Sequence, residues 1–337
     1  MQILIGTTLL LIVLGIFTLF SYKAPNGMKA MGALASAACA SFLVEAFHSS
    51  FFGDVFNIEF LKKIGMANGS LGGVAAAILV PLTFGISPVY AVLIGLSCSG
   101  LGILPGFIAG YLMSFVIKFI EKKVPGGLDL IVIIIFVAPL TRFIGDFMTP
   151  IVNSTLLKIG QVLIASADSN PIIMGIILGG IITVVATAPL SSMALTAMLN
   201  LTGIPMAIGA LSVFGSSFLN LIFFHKMKFG SKKDTISVAI EPLTQADIIS
   251  ANPIPIYITN FIGGSLCGII IVLMGLKNMS PGTATPIAGL AVMFAYNPAL
   301  KVFLAALGCI IVSLGSGYLG YIIFKNHKIH TASEIRE

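Results

Sequence analysis

A polar stretch, IEPLTQADIISAN, occupies positions 240–252 of the 337-residue sequence. Its carboxylates, amides and hydroxyls are groups that can take the paired hydroxyls of a polyol by bidentate hydrogen bonds. We therefore interpret Glu241, Asp247 and Asn252 as candidate ligands of a polar solute. An ordinary cytoplasmic loop is the alternative, although the neighbouring residues are too apolar for a freely solvated loop: Val238, Ile240, Leu243, Ile248 and Ile249.

Two further stretches combine small hydroxyl side chains with a residue that interrupts a helix. TAPLSS, at 187–192, has a proline in mid-segment that should break the helix there. NMSPGTAT, at 278–285, has a flexible glycine between two apolar segments, so its backbone could approach a ligand closely. Ser191 and Thr283 are the hydroxyl-bearing candidates in these two breaks.

Ionisable side chains inside apolar segments are costly, and they therefore indicate either pairing or function. Arg142 and Asp146 are four residues apart, the spacing of an ion pair on a helix, and they form either a structural pair or part of a substrate site. Glu45 and His48 are three residues apart on one predicted helix face beside several phenylalanines. These two residues form either a pair at the membrane interface or part of a permeation route.

The cysteines give no indication of a metal centre or of a disulfide framework. Cys39, Cys98, Cys267 and Cys309 stand singly in apolar stretches, without a CxxC pair or a nearby histidine. We interpret them as small packing residues, and we predict that the protein holds neither a metal nor another cofactor.

The composition shows what kind of elements must position these side chains. The chain is 57% hydrophobic and 9% charged, with a mean hydropathy of +1.08. No Asp, Glu, Lys or Arg occurs in 64–117 or in 169–225, and each of these runs has room for at least two crossings of a bilayer. The sequence therefore predicts a polytopic helical membrane protein. It excludes a soluble enzyme, a secreted disulfide scaffold, a nucleic-acid-binding protein and a disordered chain.

We predict an all-α integral membrane protein with about nine or ten transmembrane helices. Residues 151–165 are predicted to form an amphipathic helix along the interface, whereas 236–251 and 281–298 are predicted to be re-entrant. Residues 1–330 form a single predicted transmembrane domain, and 331–337 a short cytoplasmic tail. The predicted spans are 3–21, 30–48, 69–88, 89–117, 129–149, 171–193, 203–225, 255–276 and 300–324.

Lysine clusters indicate which ends of these spans face the cytoplasm. Clusters at 118–123, 226–233 and 325–328 are predicted to be cytoplasmic. A dock for lipid headgroups or for a partner protein is the alternative for 226–233. The pair Lys62–Lys63 does not fit a simple alternation of loops between the two sides of the membrane, so the topology between residues 48 and 69 stays open.

Four stretches follow one another in a recognisable order: LGILPGFIAGYLMSFVIKFIEKK at 101–123, 132–164, NPIIMGIILGGIITVVATAPLSSMA at 170–194, and 251–289. This order resembles the membrane subunit IIC of bacterial phosphoenolpyruvate-dependent sugar phosphotransferase systems, in particular its fructose–mannitol branch. The similarity covers about residues 65–300. The sequence is also similar to a divergent IIC-like group that includes a clostridial toxin-regulator protein. Ser191 stands where that family has an asparagine.

The resemblance implies a homodimer in the bacterial cytoplasmic membrane that binds a sugar or polyol between re-entrant hairpins and a scaffold bundle. A rigid-body movement would then present the sugar to a separate phosphorylated IIB protein, so the chain is at most the translocating subunit of a phosphotransferase. Glu241 would bind the sugar and accept its hydroxyl proton. Asn252, Ser191 and Thr283 would donate or accept hydrogen bonds as neutral groups, with Asp247 and His48 as further ligand candidates.

Two other functions remain open at this level. One is a membrane-bound sensor or regulator on the same fold, which would signal ligand occupancy through the basic loop at 226–233. The other is an uncoupled secondary transporter of a small polar solute.

Overall fold

A computed structural model describes residues 2–167, 170–190, 192–199 and 201–336, and almost all of these residues are helical. Within them, the only extended pairing is a bridge between the backbones of Gly203 and Asn278. The helices are α1 (Gln2–Lys23), α2 (Gly27–Ala38), α3 (Glu59–Ser70), α4 (Gly72–Thr83), α5 (Pro88–Ser97), α6 (Ile103–Lys123), α7 (Leu128–Val132), α8 (Ala138–Ala167), α9 (Pro171–Thr187), α10 (Ser192–Met198), α11 (Gly203–Met227), α12 (Lys232–Ile240), α13 (Ala246–Ala251), α14 (Pro253–Leu273), α15 (Pro286–Tyr296), α16 (Ala299–Phe324) and α17 (Ala332–Arg336). Cys39–Leu43, Ala46–Val55 and Ile133–Val137 are wider π-helical segments, and Pro242–Gln245 is a 3-10 turn.

Six helices in the described part of the chain are long and apolar enough to cross a membrane, and a seventh crossing arises if α3 and α4, bent by 52°, count as one span. The all-α polytopic fold class is thus confirmed. The number of spans is smaller than the nine or ten predicted, and the apolar helices α5, α9 and α15 are too short to cross a bilayer by themselves, with 10, 17 and 11 residues. The full-length spans are Gly27–Ser49, Ile103–Lys123, Leu128–Gln161, Gly203–Met227, Pro253–Leu273 and Ala299–Phe324.

The span predicted at 89–117 is instead two helices, α5 and α6, separated by a turn at 98–102. Gly100 adopts φ +76° in this turn, a left-handed conformation that favours glycine. Both flanks are apolar, so hydropathy alone does not reveal the break.

Residues 151–165, which were predicted to form an amphipathic helix along the interface, continue the preceding span without a break. Residues 138–167 form one continuous helix, α8, which contains Pro150. Leu156 and Ile159 of this segment are buried in the protein core, so its apolar face packs against protein. A proline in a membrane helix is tolerated where neighbouring groups satisfy the freed backbone carbonyl.

Helices α9 and α14 pack with their backbones in contact because glycines face each other. Gly175 and Gly179 of α9 lie against Gly264 and Gly268 of α14, and a Cβ atom at any of the four would overlap atoms of the opposite helix. Each pair is four residues apart, a small-xxx-small spacing that lets two helix backbones approach closely.

The buried apolar residues form two principal clusters. The larger is built mainly from α9, α11, α14 and α16, and the smaller from α2, α4 and α6. The segment 242–251 belongs to both, since Leu243 and Ala246 pack in the smaller cluster whereas Ile248 and Ile249 pack in the larger. This segment was predicted to be part of a re-entrant hairpin. It consists of a 3-10 turn and the short helix α13, at the junction of the two clusters.

The last residues of the chain are packed against the protein. The N–H of Ala332 donates to the carbonyl of Phe229 at 2.7 Å, and Ala332 is buried. The segment predicted to be a short tail therefore contributes the small helix α17 to the folded structure.

Candidate functional site

Glu241 lies where helix α12 ends, and the chain is extended at this position, with φ −149° and ψ 107°. Pro242 explains the ending, because the residue before a proline is disfavoured in helical conformation. The Glu241 carboxylate accepts a hydrogen bond from the N–H of Leu243 at 3.4 Å, and its carbonyl accepts one from the Thr244 hydroxyl at 2.7 Å. These bonds hold the side chain at the start of the 3-10 turn.

The helix break predicted in TAPLSS is present, and it meets the second predicted break. Helix α9 ends at Thr187 and helix α10 begins at Ser192. The Ser192 hydroxyl donates to the carbonyl of Ala284 at 2.8 Å, just before helix α15. Two loops that are about 90 residues apart in sequence are thus joined by a direct hydrogen bond.

A small cavity of about 20 Å³ joins these two breaks to Glu241. Its polar lining comes from Ser192, Glu241 and Thr285, and the Thr285 hydroxyl hydrogen-bonds to the Glu241 carboxyl. Phe42 and Leu243 are among its apolar lining residues. Because a cavity of this size holds about one water molecule, a sugar can enter only if the surrounding elements separate.

The surroundings of Glu241 favour its neutral form. Glu241 lies outside the membrane-spanning helices, and burial raises the pKa of its carboxyl to about 7, against the opposing effect of the hydrogen bonds from Leu243 and Thr285. A carboxyl group with a pKa near neutrality is suited to accept or release a proton at physiological pH.

Asp247 and Asn252 lie on the same segment but bind the end of the chain. Asp247 is buried and forms an ion pair with Arg336, with Oδ2 2.7 Å from Nε. Asn252 exchanges two hydrogen bonds of 2.8 Å with the backbone N–H and carbonyl of His330. Neither residue lines the cavity beside Glu241.

Thr283 and His48 are not in the lining of this cavity either. The Thr283 hydroxyl is used within its own loop, accepting from Asn278 at 2.9 Å and donating to the carbonyl of Ser280 at 2.8 Å. His48 lies on Ala46–Val55, which packs on α3 and α15, with Nδ1 3.2 Å from the carbonyl oxygen of Val44. Ser191 lies outside the described residues.

Sequence reasoning missed the hydroxyls that do line the cavity. Ser192 is next to the predicted Ser191, and Thr285 is two residues beyond the predicted Thr283. The helix breaks lie where they were predicted, whereas the assignment of Ser191 and Thr283 as ligands stays a prediction. A Thr-Pro pair at a helix start, as in Thr285-Pro286, is the available signal, although it does not indicate which way the hydroxyl points.

The predicted pair of Arg142 and Asp146 is formed, at 2.9 Å between Nε and Oδ2. Nη1 of Arg142 also donates to the carbonyl of Ser99, at 2.6 Å, in the turn between α5 and α6. The side chains are 46% and 54% exposed on the surface of helix α8 and lie outside the cavity beside Glu241. This arrangement fits the structural role better than the substrate role.

Other features of the described residues do not resemble a catalytic centre. No group of three or more His, Cys, Asp or Glu side chains that could hold a metal ion is found among them. A groove of about 1,050 Å³ between α1 and α14 is lined mostly by apolar side chains such as Leu14, Ile258 and Phe261. Such a lining offers few groups that could orient a polar solute.

A family model described as Phosphotransferase system, EIIC, matches residues 28–336, most of the chain. The chain belongs to the EIIC family. Comparisons with curated proteins and with solved structures give no match.

Membership of the EIIC family establishes the general function. The protein is a multi-pass membrane protein and a sugar permease subunit, and membership of the family implies a IIB partner in general. The family resemblance inferred from the sequence is confirmed, while its assignment to the fructose–mannitol branch stays a prediction.

Proposed function

We propose that this EIIC subunit binds a sugar or polyol at Glu241 and presents it to a separate phosphorylated IIB protein. The observation that carries the proposal is the position of Glu241. Its carboxyl group lies in one small cavity with the hydroxyls of Ser192 and Thr285, at the meeting point of two broken helical elements. Broken helices in membrane proteins are tolerated where they line a cavity, and such breaks mark transport sites.

The two packing clusters suggest how the site opens. Leu243 belongs to the cluster of α2, α4 and α6, whereas the cavity-lining Ala186 and Ala284 belong to the cluster of α9, α11, α14 and α16. A rigid-body movement of one cluster against the other would widen the cavity from about 20 Å³ to the size of a sugar. Movements of packed units as whole bodies are the usual form of alternating access.

Glu241 has the properties of a proton acceptor for phosphoryl transfer. A sugar hydroxyl attacking a phosphoryl group on IIB must lose its proton, and a carboxylate within hydrogen-bond distance can take it. The raised pKa of Glu241 makes the protonated form stable enough to hold that proton until release. The phosphoryl group comes from the IIB protein, so this chain supplies the binding, orientation and proton transfer.

The orientation and the oligomeric state form part of the same proposal. The exposed lysines at 118–123, 226–233 and 325–328 face the cytoplasm of the bacterial cell, on the side where IIB docks. The subunit acts as a homodimer.

Ligand-dependent melting of the purified protein tests the binding site. Hexoses, hexitols and pentitols should be screened, because a bound ligand raises the melting temperature by mass action even when its affinity is low. Glu241→Gln should retain part of the shift and lose phosphorylation by IIB, since it keeps the shape but not the proton acceptor. Glu241→Ala should lose both.

A matched control is Glu121→Gln, which removes an exposed carboxylate at the end of helix α6. It should behave like the wild type in both assays. Wild-type uptake and phosphorylation by Glu241→Ala would disprove the site. Sugar accumulation in vesicles without IIB would instead favour an uncoupled transporter, and ligand binding without any uptake would favour a sensor.

A further inference from the structure

A second polar cavity, of about 420 Å³, lies on the other side of the segment that carries Glu241. Glu241 and Leu243 line the small cavity, whereas Thr244 and Asp247 line the larger one. The larger cavity is within the range of sizes that small-molecule sites occupy. Its other polar lining comes from Lys29, Ser36 and Thr83 of α2 and α4, and from Arg336.

The C-terminal helix α17 forms one wall of this cavity. Arg336 donates from Nη1 to Asp234 at 2.7 Å and from Nη2 to Gln245 at 2.9 Å, in addition to its ion pair with Asp247. The bonds between His330 and Asn252 hold the segment that leads into the helix. The wall therefore exists only while the end of the chain is docked.

The lining presents groups suited to a ligand that carries several hydroxyls. The hydroxyls of Ser36, Thr83 and Thr244 each donate to a backbone carbonyl, at 3.0, 2.8 and 2.7 Å. Each of these oxygens keeps a lone pair for a ligand, although the Thr244 hydroxyl already accepts from Nε2 of Gln245 at 3.4 Å. Oδ1 of Asp247 accepts from the N–H of Ile248 and from Nη2 of Arg336. Oδ2 accepts only from Nε of Arg336, so it keeps one lone pair for a ligand.

The charges at the cavity favour an uncharged ligand. Lys29, Arg336 and Asp247 line the cavity, and Asp234, which lies outside the lining, pairs with Arg336 as a second carboxylate. The two positive and two negative charges of this group balance. With these charges balanced, the site has no net attraction for an anion. Lys29 supplies an ammonium donor to complement the oxygen acceptors on the other walls.

We propose that this cavity is a second carbohydrate site, completed by the C-terminal helix, in which an unphosphorylated sugar or polyol rests between the cytoplasm and Glu241. The inference rests on the proposed function, since it places a second sugar site beside the Glu241 site, with residues 241–247 between the two cavities. Ligand in this cavity and docking of helix α17 stabilise each other, because the ligand binds only the completed site.

Gly32 is a suitable position for a labelling experiment, because it lies in the lining of the cavity. It lies in the cavity lining on helix α2, and a Cβ atom there would be 3.9 Å from Oδ2 of Asp247, with nothing closer. Gly32→Cys therefore places a thiol in the cavity without a backbone clash. The described native cysteines at 98, 267 and 309 are buried, and the chain without the added thiol measures background labelling.

The test is protection of Gly32→Cys from a water-soluble maleimide in the full-length protein that also carries Glu241→Ala. The probes are D-fructose and D-mannitol, and the second substitution disables the first site. When the sugar occupies nine-tenths of the sites, the labelling rate should fall by about tenfold. Adding Arg336→Ala should abolish this protection, because Arg336 holds helix α17 in the wall of the cavity. Lys122→Cys, at the exposed end of helix α6, should be labelled at the same rate with and without the sugars.

The outcomes separate the two proposals. If the sugars shift the melting of the wild-type protein but do not protect Gly32→Cys, the second site is wrong and the Glu241 site stands. If fructose 1-phosphate and mannitol 1-phosphate protect better than the free sugars, the assignment of an uncharged ligand is overturned. If no sugar binds the wild-type protein, the proposed function fails, and this inference fails with it.

Discussion

Glu241 is a carboxyl group whose protonation is set by its surroundings. Partial burial disfavours the carboxylate, and the hydrogen bonds from Leu243 and Thr285 only partly compensate. In an unfolded chain the same group has a pKa of 4.5, so folding raises its proton affinity. Such a group links the stability of the folded protein to pH.

We predict that Glu241 makes the protein less stable as the pH rises. A pKa that is higher in the folded state gives stability that is fully present below pH 4.5 and is lost as the pH rises through about 7. The melting temperature of Glu241→Gln, which stays neutral, should therefore exceed that of the wild type increasingly across this range. A difference that is the same at every pH would contradict the raised pKa.

Arg142 connects helix α8 to the turn between α5 and α6. Its guanidinium binds Asp146 on its own helix and the carbonyl of Ser99 in the neighbouring break. Removing Asp146 leaves the guanidinium without its counter-ion on a membrane helix, where water is scarce. We predict that Asp146→Asn lowers the melting temperature in lipid without changing ligand-induced shifts.

Glu121→Gln supplies the control, because it changes an exposed carboxylate near the end of helix α6. Full thermal stability of Asp146→Asn combined with loss of sugar binding would contradict the structural role and favour the substrate role.

Helices α9 and α14 contact each other through glycines, so a larger side chain at these positions has no space. At Gly179, a Cβ atom would overlap the backbone carbonyl of Gly264, which cannot move aside without shifting helix α14. The same proximity lets α9 and α14 support the helix break at Thr187 that shapes the cavity.

We predict that Gly179→Ala destabilises the protein by about 1–3 kcal/mol, the usual cost of overpacking. The matched control is Gly315→Ala on helix α16, where no atom lies within 4 Å of the added Cβ. That control should be neutral or stabilising, since alanine is the better helix former. Melting temperatures in detergent measure both, and equal effects of the two substitutions would contradict the close packing of α9 and α14.

At the scale of the whole molecule, two packing clusters meet along the segment that carries Glu241, Leu243 and Ile248. The same segment holds the C-terminal helix through Asp247. A movement between the clusters would therefore change both the lining of the cavity beside Glu241 and the contacts of helix α17.

We predict that the loops at 118–127 and 226–235 lie on the cytoplasmic side of the membrane. The prediction follows from their clustered lysines. Lys122→Cys and Lys232→Cys should react with a membrane-impermeant maleimide only in inverted vesicles. Labelling of either cysteine in intact cells would contradict this orientation.

The helical membrane class and the family could be recognised from the sequence, because both depend on features that are continuous along the chain. The uncharged runs at 64–117 and 169–225 follow from composition alone. The breaks at TAPLSS and NMSPGTAT were predictable because proline and glycine act on the local backbone. The break at 98–102 was not predictable from hydropathy, since both of its flanks are apolar.

The partners of the polar side chains were decided by tertiary structure. Glu241 and Asp247 belong to the same polar stretch, yet one meets Ser192 and Thr285 in a cavity while the other binds Arg336 at the end of the chain. A sequence specifies which groups are present and how the nearby backbone turns. It does not specify which distant segment reaches a given side chain, because that depends on the packing of α9, α14 and the two clusters in three dimensions.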